Sequence, residues 1–221
     1  MKDAPKLRGP LAVRVLALFF GLVVFSMAIV CMLESRLGLP PWDVFHQGIA
    51  AHTPLTLGTA GIVVGVVIIA IAWPLGAPPG FGTVANTIVI GIGIDALSAL
   101  EPVQRLSDAG LPLRVGLVAA GIALFGVGSA FYIGAGMGAG PRDSLMLAIS
   151  RRTGWRIGLV RGGIEISVLA LGIALGGTFG VGTLALAVLV GPSVEASFWL
   201  VERAGLATSA PVPEFGPLDA A

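Results

Sequence analysis

The sequence contains few charged residues and few residues with reactive side chains. Aspartate, glutamate, lysine and arginine make up only 11% of its 221 residues, and the formal net charge is +1. A nucleic-acid-binding protein needs a basic patch or stripe, so this composition predicts no nucleic-acid partner. The single cysteine, Cys31, lies inside an apolar run, which excludes an internal disulfide and a thiolate metal site within one chain. The two histidines, His46 and His52, do not share a helix face, and both are expected at the membrane surface.

No group of residues indicates an enzyme. The sequence lacks a Ser-His-Asp arrangement, a zinc-protease helix and a nucleotide-binding motif. We therefore predict that the protein is not an enzyme, and we predict no catalytic residue, no metal and no cofactor.

Long apolar runs take up most of the chain. Hydrophobic residues make up 56% of the sequence, and the mean hydropathy of +0.97 lies outside the range of soluble domains. The runs extend for about twenty residues, the length that a helix needs to cross roughly 30 Å of hydrocarbon. The sequence therefore predicts an all-α membrane protein whose main partner is the lipid bilayer.

The two halves of the chain are related by a shift of one hundred residues without a gap. The Pro-x-Asp motif at Pro41–Asp43 recurs at Pro141–Asp143, and the Gly-x-Gly-Thr motif at Gly80–Thr83 recurs at Gly180–Thr183. Chance alignment of glycine-rich helices rarely places two such motifs in one register. The pattern therefore indicates an internal duplication.

Each half is predicted to contain a long span, a short helix and two further spans. The short helices, 41–52 and 141–152, would extend only about 18 Å and are too short to cross the bilayer. Three spans per half is an odd number, so the halves should have opposite orientations in the membrane. The predicted fold is six transmembrane helices and two short non-spanning helices in two inverted-topology repeats, residues 11–100 and 112–201. The predicted spans are 11–33, 58–75 and 82–100 in repeat 1, and 113–133, 158–175 and 182–201 in repeat 2.

Lysine and arginine are enriched in cytoplasmic flanks, so their distribution predicts the orientation. We expect both termini in the cytoplasm, with an N-terminal tail at 1–10 and a disordered tail at 202–221. The predicted cytoplasmic residues are Lys2, Lys6, Arg8, Arg14, Arg142, Arg151, Arg152, Arg156, Arg161 and Arg203, and the predicted external ones are Arg36, Arg105 and Arg114.

Charged residues at the start of the short helices are candidates for a binding site. Asp43 and Asp143 follow the first-turn prolines, in the kind of broken element where inverted-repeat transporters bind substrate. They either cap orphan backbone N–H groups and complement the helix dipole, or they act with Arg142 in transport or gating. The sequence leaves both interpretations open.

The Gly-x-Gly-Thr motifs also allow two interpretations. Thr83 and Thr183 either complete an anion site at a helix N-terminus or cap a tight turn between spans. The Lys-Ser/Thr of a phosphate-binding loop is absent.

Ionisable residues inside spans are costly and are therefore further candidates. Glu165 lies four residues after Arg161, a spacing that permits an ion pair on one helix face. Asp95 and Glu195 occupy matching positions in the third and sixth spans, towards opposite sides of the membrane, as paired gates would. Placement at the interface, with the carboxylate reaching water, is the alternative for both.

Two Gly-x-x-Pro-x-Asp helix starts, Gly38–Asp43 and Gly138–Asp143, with Gly-x-Gly-Thr turns downstream, resemble the YczE/YyaS/YitT family of bacterial integral membrane proteins. The resemblance covers about residues 11–200. It implies a location in the bacterial plasma (inner) membrane. It implies no substrate, so no functional residue is transferred from the family.

Two functions are consistent with these features. The first is a transporter or channel for an unknown small solute, with its site at the interface between the repeats. The second is a non-transporting membrane protein that binds a partner protein or anionic lipid through the arginines from Arg142 to Arg161. A substrate-capture subunit of a larger transporter is a third idea, and a homo-oligomer is compatible with each of them.

Overall fold

The computed structural model describes residues 5–208, and within them the chain forms nine α-helices and one two-stranded sheet. The strands are β1 (Lys6–Leu7) and β2 (Ala207–Thr208), and a 3₁₀ turn lies at Arg105–Asp108. The helices are α1 (Leu11–Ser35), α2 (Pro41–His52), α3 (Leu57–Ala72), α4 (Phe81–Ser98), α5 (Glu101–Gln104), α6 (Leu111–Gly134), α7 (Pro141–Thr153), α8 (Ile157–Ala174) and α9 (Val181–Arg203).

Five of the described helices, α1, α4, α6, α8 and α9, are long and apolar enough to cross a membrane. The 16-residue α3 reaches this standard only together with α2, from which it is bent by 111°. The chain is therefore a mainly helical membrane protein with five candidate spans, or six when α2 and α3 are counted together. A helix is present at each of the eight predicted positions, although the predicted spans 58–75 and 82–100 end earlier, at Ala72 and Ser98.

Helices α1 and α6, the first long helices of the two halves, run antiparallel and pack closely together. Near the start of α1, Arg14 Nε donates to the Ala135 carbonyl just beyond α6, at 2.8 Å. Near the start of α6, Arg114 Nε donates to the Ser35 carbonyl at the end of α1, at 2.6 Å. Each arginine satisfies a carbonyl that the helix end leaves without an intrahelical partner.

The middle of the α1–α6 contact is also reciprocal. Phe25 and Phe125, which are one hundred residues apart, pack edge to face with their ring centroids 4.8 Å apart. Equivalent residues of the two halves therefore face each other at this point.

The helices α4 and α9 pack on α1 and α6 at matching points. Ser26 of α1 lies against Gly93 of α4, and Ser193 of α9 lies against Gly126 of α6. The two contacts use the same two positions of the repeat, with serine and glycine exchanged. Each serine hydroxyl donates to a backbone carbonyl of the neighbouring helix, at 3.3 Å and 2.8 Å respectively.

After α1 and again after α6, the chain turns back and packs against the opposite half. The backbone N–H of Gly182 donates to the Leu37 carbonyl at 2.7 Å, and that of Gly82 donates to the Met137 carbonyl at 2.8 Å. Gly38, which follows Leu37, has a φ of +123°, a conformation that glycine adopts readily and other residues avoid. The Gly-x-Gly-Thr segment of each half thus holds the turn that leads into the short helix of the other half.

The two ends of the described chain meet at one end of the bundle. Lys6–Leu7 pairs antiparallel with Ala207–Thr208. Residues 202–208 of the predicted disordered tail therefore have regular structure, because α9 continues to Arg203 and β2 follows it. The remainder of the tail, residues 209–221, and residues 1–4 of the N-terminal tail lie outside the described residues.

Candidate functional site

The candidate site lies where the short helices α2 and α7 begin. Both start with a proline in the first turn, where a missing backbone N–H costs no hydrogen bond. The turns that precede them enter the bundle from the ends of α1 and α6, which lie at opposite ends of the antiparallel pair. The two starts nevertheless approach each other, and Arg142 Nη2 of α7 lies 4.0 Å from Asp43 Oδ1 of α2. This contact joins residues that belong to different halves of the chain.

Asp43 is almost completely buried, with 1% of the residue exposed. Its Oδ1 lies 3.2 Å from His46 Nδ1, one turn further along α2. A buried carboxylate requires such partners, because an isolated charge in an apolar interior is strongly unfavourable. The Asp43–His46–Arg142 cluster therefore holds a carboxylate inside the bundle.

Three buried polar atoms in the described part of the chain face this cluster without a hydrogen-bond partner. They are Asp43 Oδ2, His46 Nε2 and Trp42 Nε1. An unsatisfied buried polar atom costs about 1–3 kcal/mol, and native proteins satisfy nearly all of them. One acceptor, one donor and a histidine nitrogen that serves as either thus have no hydrogen-bond partner within the described part of the protein.

Arg142 interacts with both halves. Its guanidinium lies 5.0 Å from the centre of the Trp42 ring, within range of a cation–π interaction. It also interacts electrostatically with Asp43, Asp143 and Glu165. Arg142 was predicted both as a cytoplasmic charge and as a site residue that acts with the two aspartates, and its guanidinium lies 4.0 Å from Asp43 of the other half.

Asp143, the counterpart of Asp43, is exposed rather than buried. It faces a narrow space beside Gly140, where a Cβ would lie 2.9 Å from Tyr132 Oη and 3.5 Å from Asp143 Oδ2. Neither α2 nor α7 has a side-chain hydrogen bond at its N-cap. No backbone N–H of the described residues donates to either aspartate, but both aspartates lie in the first turn of their helices, where a carboxylate complements the helix dipole. Asp43 also pairs with His46 and Arg142.

Arg161 and Glu165 form an ion pair on α8, with Arg161 Nε 3.0 Å from Glu165 Oε1. Both side chains are partly exposed, at 54% and 34%. Asp143 interacts electrostatically with both of them, so the pair extends the charged region from the start of α7 to α8.

Asp95 and Glu195, the matching acids of the third and sixth predicted spans, have different surroundings. Asp95 Oδ1 accepts from the backbone N–H of Gly58 at 2.9 Å, and Asp95 Oδ2 accepts from Thr56 Oγ1 at 2.5 Å. Glu195 is exposed and has no hydrogen bond or ion pair with the described residues.

Thr83 and Thr183 are both buried, each with 2% of the residue exposed. Thr83 Oγ1 donates to the Ala139 carbonyl at 2.7 Å and accepts from the Gly80 N–H at 3.1 Å. Thr183 Oγ1 accepts from the Gly180 N–H at 3.3 Å. Because these hydroxyls already bind protein groups, the geometry favours the turn interpretation over an anion site.

His46 and Trp42 belong to the site, although neither was selected from the sequence. His46 was expected at the membrane surface but is 3% exposed, and only His52 is exposed as expected. The spacing of Asp43 and His46, three residues apart on one helix, is a signal that could have identified the pair. Trp42 gave no such signal, because its role depends on the distant Arg142.

A cleft of about 410 Å³ opens beside α2. Its polar lining includes Gln47, which lies one turn beyond Asp43, and Gln47 Oε1 accepts from the Thr178 N–H at 2.6 Å. Glu34 and Arg36, at the end of α1, also line it. Within residues 5–208, no three His, Cys, Asp or Glu side chains converge so that they could hold a metal ion.

Comparison with known proteins identifies the family. The profile of a family of unknown function (DUF6198) matches residues 12–197. The chain is 34% identical over 180 residues to the uncharacterized membrane protein YczE of Bacillus subtilis (strain 168), which covers 78% of this chain and 80% of that protein. The chain belongs to the YczE/YyaS family. The resemblance based on the two helix starts is thereby confirmed for YczE and YyaS.

Two further relatives of this YczE/YyaS family member are also uncharacterized. The protein YyaS of Bacillus subtilis (strain 168) is 27% identical over 185 residues, which is 83% of this chain and 91% of YyaS. A protein of Haemophilus influenzae (strain ATCC 51907 / DSM 11121 / KW20 / Rd) is 35% identical over 188 residues, which is 84% of each chain. No solved structure matches the chain significantly.

Proposed function

We propose that the protein transports a small solute, as a transporter or channel, through a site between the starts of α2 and α7. The observation that carries this proposal is the 4.0 Å contact between Asp43 and Arg142, which joins the two halves beside buried polar atoms without partners. Ionisable residues inside a membrane protein are costly and are typical of substrate or ion pathways.

The proposal includes six spans in two inverted-topology repeats. The antiparallel direction of α1 and α6 supports inversion, because equivalent helices of inverted repeats run in opposite directions. The pairing of β1 with β2 supports an even number of crossings, because both ends of the described chain meet at one end of the bundle. The spans would be α1, α3, α4, α6, α8 and α9. In this arrangement α2 and α7 are re-entrant helices.

The proposed location is the bacterial plasma membrane, with both termini in the cytoplasm. The positions of the arginines support this orientation. Three arginines lie in the last turn of α7 or just beyond it: Arg151, Arg152 and Arg156. Arg152 Nη2 donates to the Pro74 carbonyl in the loop between α3 and α4, at 2.8 Å, and in the six-span topology this loop shares a side with the termini.

The geometry suggests how a solute would bind. The N-terminal ends of α2 and α7 carry partial positive charge towards the site, and Asp43 and Arg142 add one full charge of each sign. The free acceptor of Asp43 and the free indole N–H of Trp42 would bind polar groups of the solute. Rocking of the two halves against each other along α1 and α6 would then expose the site to each side in turn.

A swelling assay tests the proposal. The purified full chain is placed in proteoliposomes, and light scattering follows swelling in polyols, amino acids, organic anions and inorganic salts. We expect one of these solutes to enter faster than in protein-free liposomes, and Asp43→Asn and Arg142→Gln to remove the difference. His52→Gln, a change at the other end of α2, should keep it. Rates equal to those of protein-free liposomes for every solute, or full rates in both site variants, would contradict the proposal.

Binding of anionic lipid is the second candidate function. The side chains of Arg151 and Arg156 are exposed and have no hydrogen bond or ion pair with the described residues, and Trp155 between them is 65% exposed. Arginine and tryptophan together are typical of a membrane interface that attracts anionic headgroups. Native mass spectrometry with phosphatidylglycerol should show less bound lipid in Arg151→Gln/Arg156→Gln than in the control Arg105→Gln. Equal retention in the two proteins would exclude this surface.

A further inference from the structure

In the first half, the Asp95 carboxylate of α4 holds the start of α3 against α4. Asp95 of α4 accepts hydrogen bonds from the start of α3, at the Gly58 N–H and the Thr56 hydroxyl. A Cβ at Gly58 would lie 2.6 Å from Asp95 Cγ, and a Cβ at Gly91 would lie 2.6 Å from the Gly58 carbonyl oxygen. Both positions require glycine because the two helix backbones touch.

The second half contains the same parts but does not make this contact. Gly158, Gly191 and Glu195 occupy the positions of Gly58, Gly91 and Asp95 in the repeat. In the described part of the chain, α8 and α9 do not pack against each other as α3 and α4 do. A Cβ at Gly158 or at Gly191 would have no other atom within 4 Å. The two glycines and the acid therefore have no structural use in this arrangement.

The C-terminal half of α8 packs on α2, where a Cβ at Gly172 would lie 2.6 Å from the Phe45 backbone nitrogen. Its N-terminal half is free on the side that faces α9, and it carries the partly exposed Arg161–Glu165 pair. In the proposed topology this half of α8 lies at the end of the bundle that holds the chain termini, and Asp143 interacts electrostatically with the Arg161–Glu165 pair on it.

We infer that Asp95 and Glu195 are paired gate residues and that this structure has the Asp95 gate closed and the Glu195 gate open. The inference rests on the proposed transport function. In the opposite state α8 packs on α9, the Glu195 carboxylate accepts from the Gly158 N–H, and the contact between Asp95 and Gly58 opens. Arg156 stands where the first half has Thr56, so the second gate closes on an ion pair rather than on a hydroxyl. In the present state a solute would approach Asp143 and Arg142 between α8 and α9, while Asp43 stays buried behind them.

Disulfide crosslinking in membranes tests the inference. In a full-length Cys31→Ser background, Thr56→Cys/Asp95→Cys reports the first gate and Arg156→Cys/Glu195→Cys reports the second. We expect copper-phenanthroline to form both disulfides, because the protein visits both states. The depth-matched control is Arg156→Cys/Ala196→Cys, since position 96, the counterpart of 196, is exposed in the closed gate. A second-gate yield no higher than this control would overturn the inference.

A second variant tests the inference with a change that should leave the present folded state intact. Gly191→Leu places a side chain in a space with no atom within 4 Å of its Cβ, so the present state should keep its stability. The same side chain would block closure of α8 on α9, and we expect loss of the Arg156→Cys/Glu195→Cys disulfide. Persistence of that disulfide in Gly191→Leu would overturn the inference. If both disulfides form but no solute causes swelling, the proposed transport is rejected and the gate inference is not. If swelling occurs but the Arg156→Cys/Glu195→Cys disulfide does not form, the gate inference is rejected and the proposed transport is not.

Discussion

Replacing Gly58 by alanine should destabilise the protein, whereas the same change at Gly158 should not. A Cβ added at Gly58 would lie 2.0 Å from the Gly91 carbonyl oxygen and 2.6 Å from Asp95 Cγ, while non-bonded heavy atoms pack favourably at about 3.5–4.0 Å. The helices α3 and α4 must therefore separate by about 1–1.5 Å. Overpacking of this kind costs about 1–3 kcal/mol, and weakening the Gly58–Asp95 hydrogen bond, which has a charged acceptor, costs up to about 1.5–3 kcal/mol more.

The greater helix propensity of alanine returns up to about 1 kcal/mol at either position. The expected net loss for Gly58→Ala is about 2–4 kcal/mol from these terms. Gly158→Ala should be neutral or more stable by up to about 1 kcal/mol, because a Cβ there has no atom within 4 Å. Thermal unfolding of the full chain in lipid nanodiscs, followed by tryptophan fluorescence, measures both variants. Equal Tm values for the two would refute the close α3–α4 contact and its absence between α8 and α9.

Other predictions use the same unfolding measurement. Asp43→Ala should lower the free energy of unfolding by about 1–3 kcal/mol, because it leaves the buried His46 Nδ1 without its hydrogen-bond partner, whereas the exposed Asp143→Ala should stay within about 0.5 kcal/mol; equal losses would contradict the burial of Asp43. Thr83→Val should cost about 0.5–1.5 kcal/mol by removing the part-buried 2.7 Å hydrogen bond to the Ala139 carbonyl, and a cost no greater than that of Thr183→Val would show that this bond contributes little. Arg105→Gln should cost less than about 1 kcal/mol, because its ion pair with Glu101 is exposed; a larger loss would place that pair in a buried environment.

The helices and the contacts between the halves could be predicted from the sequence to different extents. Apolar length and the proline starts predicted every helix from Leu11 onwards except the short α5, because hydropathy and first-turn chemistry are local properties. The equivalence of Arg14 and Arg114 was also visible in the register of the repeat. Their shared role at the opposite helix end was not, because it depends on the antiparallel packing of α1 and α6.

The candidate site was only partly predictable. Asp43 and Arg142 were both selected for one site at the interface between the repeats, and the structure brings them within 4.0 Å of each other; the burial of Asp43 and the exposure of Asp143 could not be predicted, because a one-dimensional repeat does not show how two equivalent positions differ in packing. The difference between Asp95 and Glu195 was equally hidden. The glycines that accompany these acids match in both halves, and only the structure shows that one set is in contact and the other is not.

The repeat keeps its packing residues in both halves and changes the residues that face the site. Trp42 of α2 is replaced by Arg142 in α7, and His46 by Met146. A strictly symmetric site would contain either two guanidinium groups or none between the two aspartates. One guanidinium on one side instead gives the site a direction, with Asp43 buried and paired and Asp143 exposed. In the proposed transporter, a bound solute would therefore adopt one orientation, set by the residues that differ between the two halves.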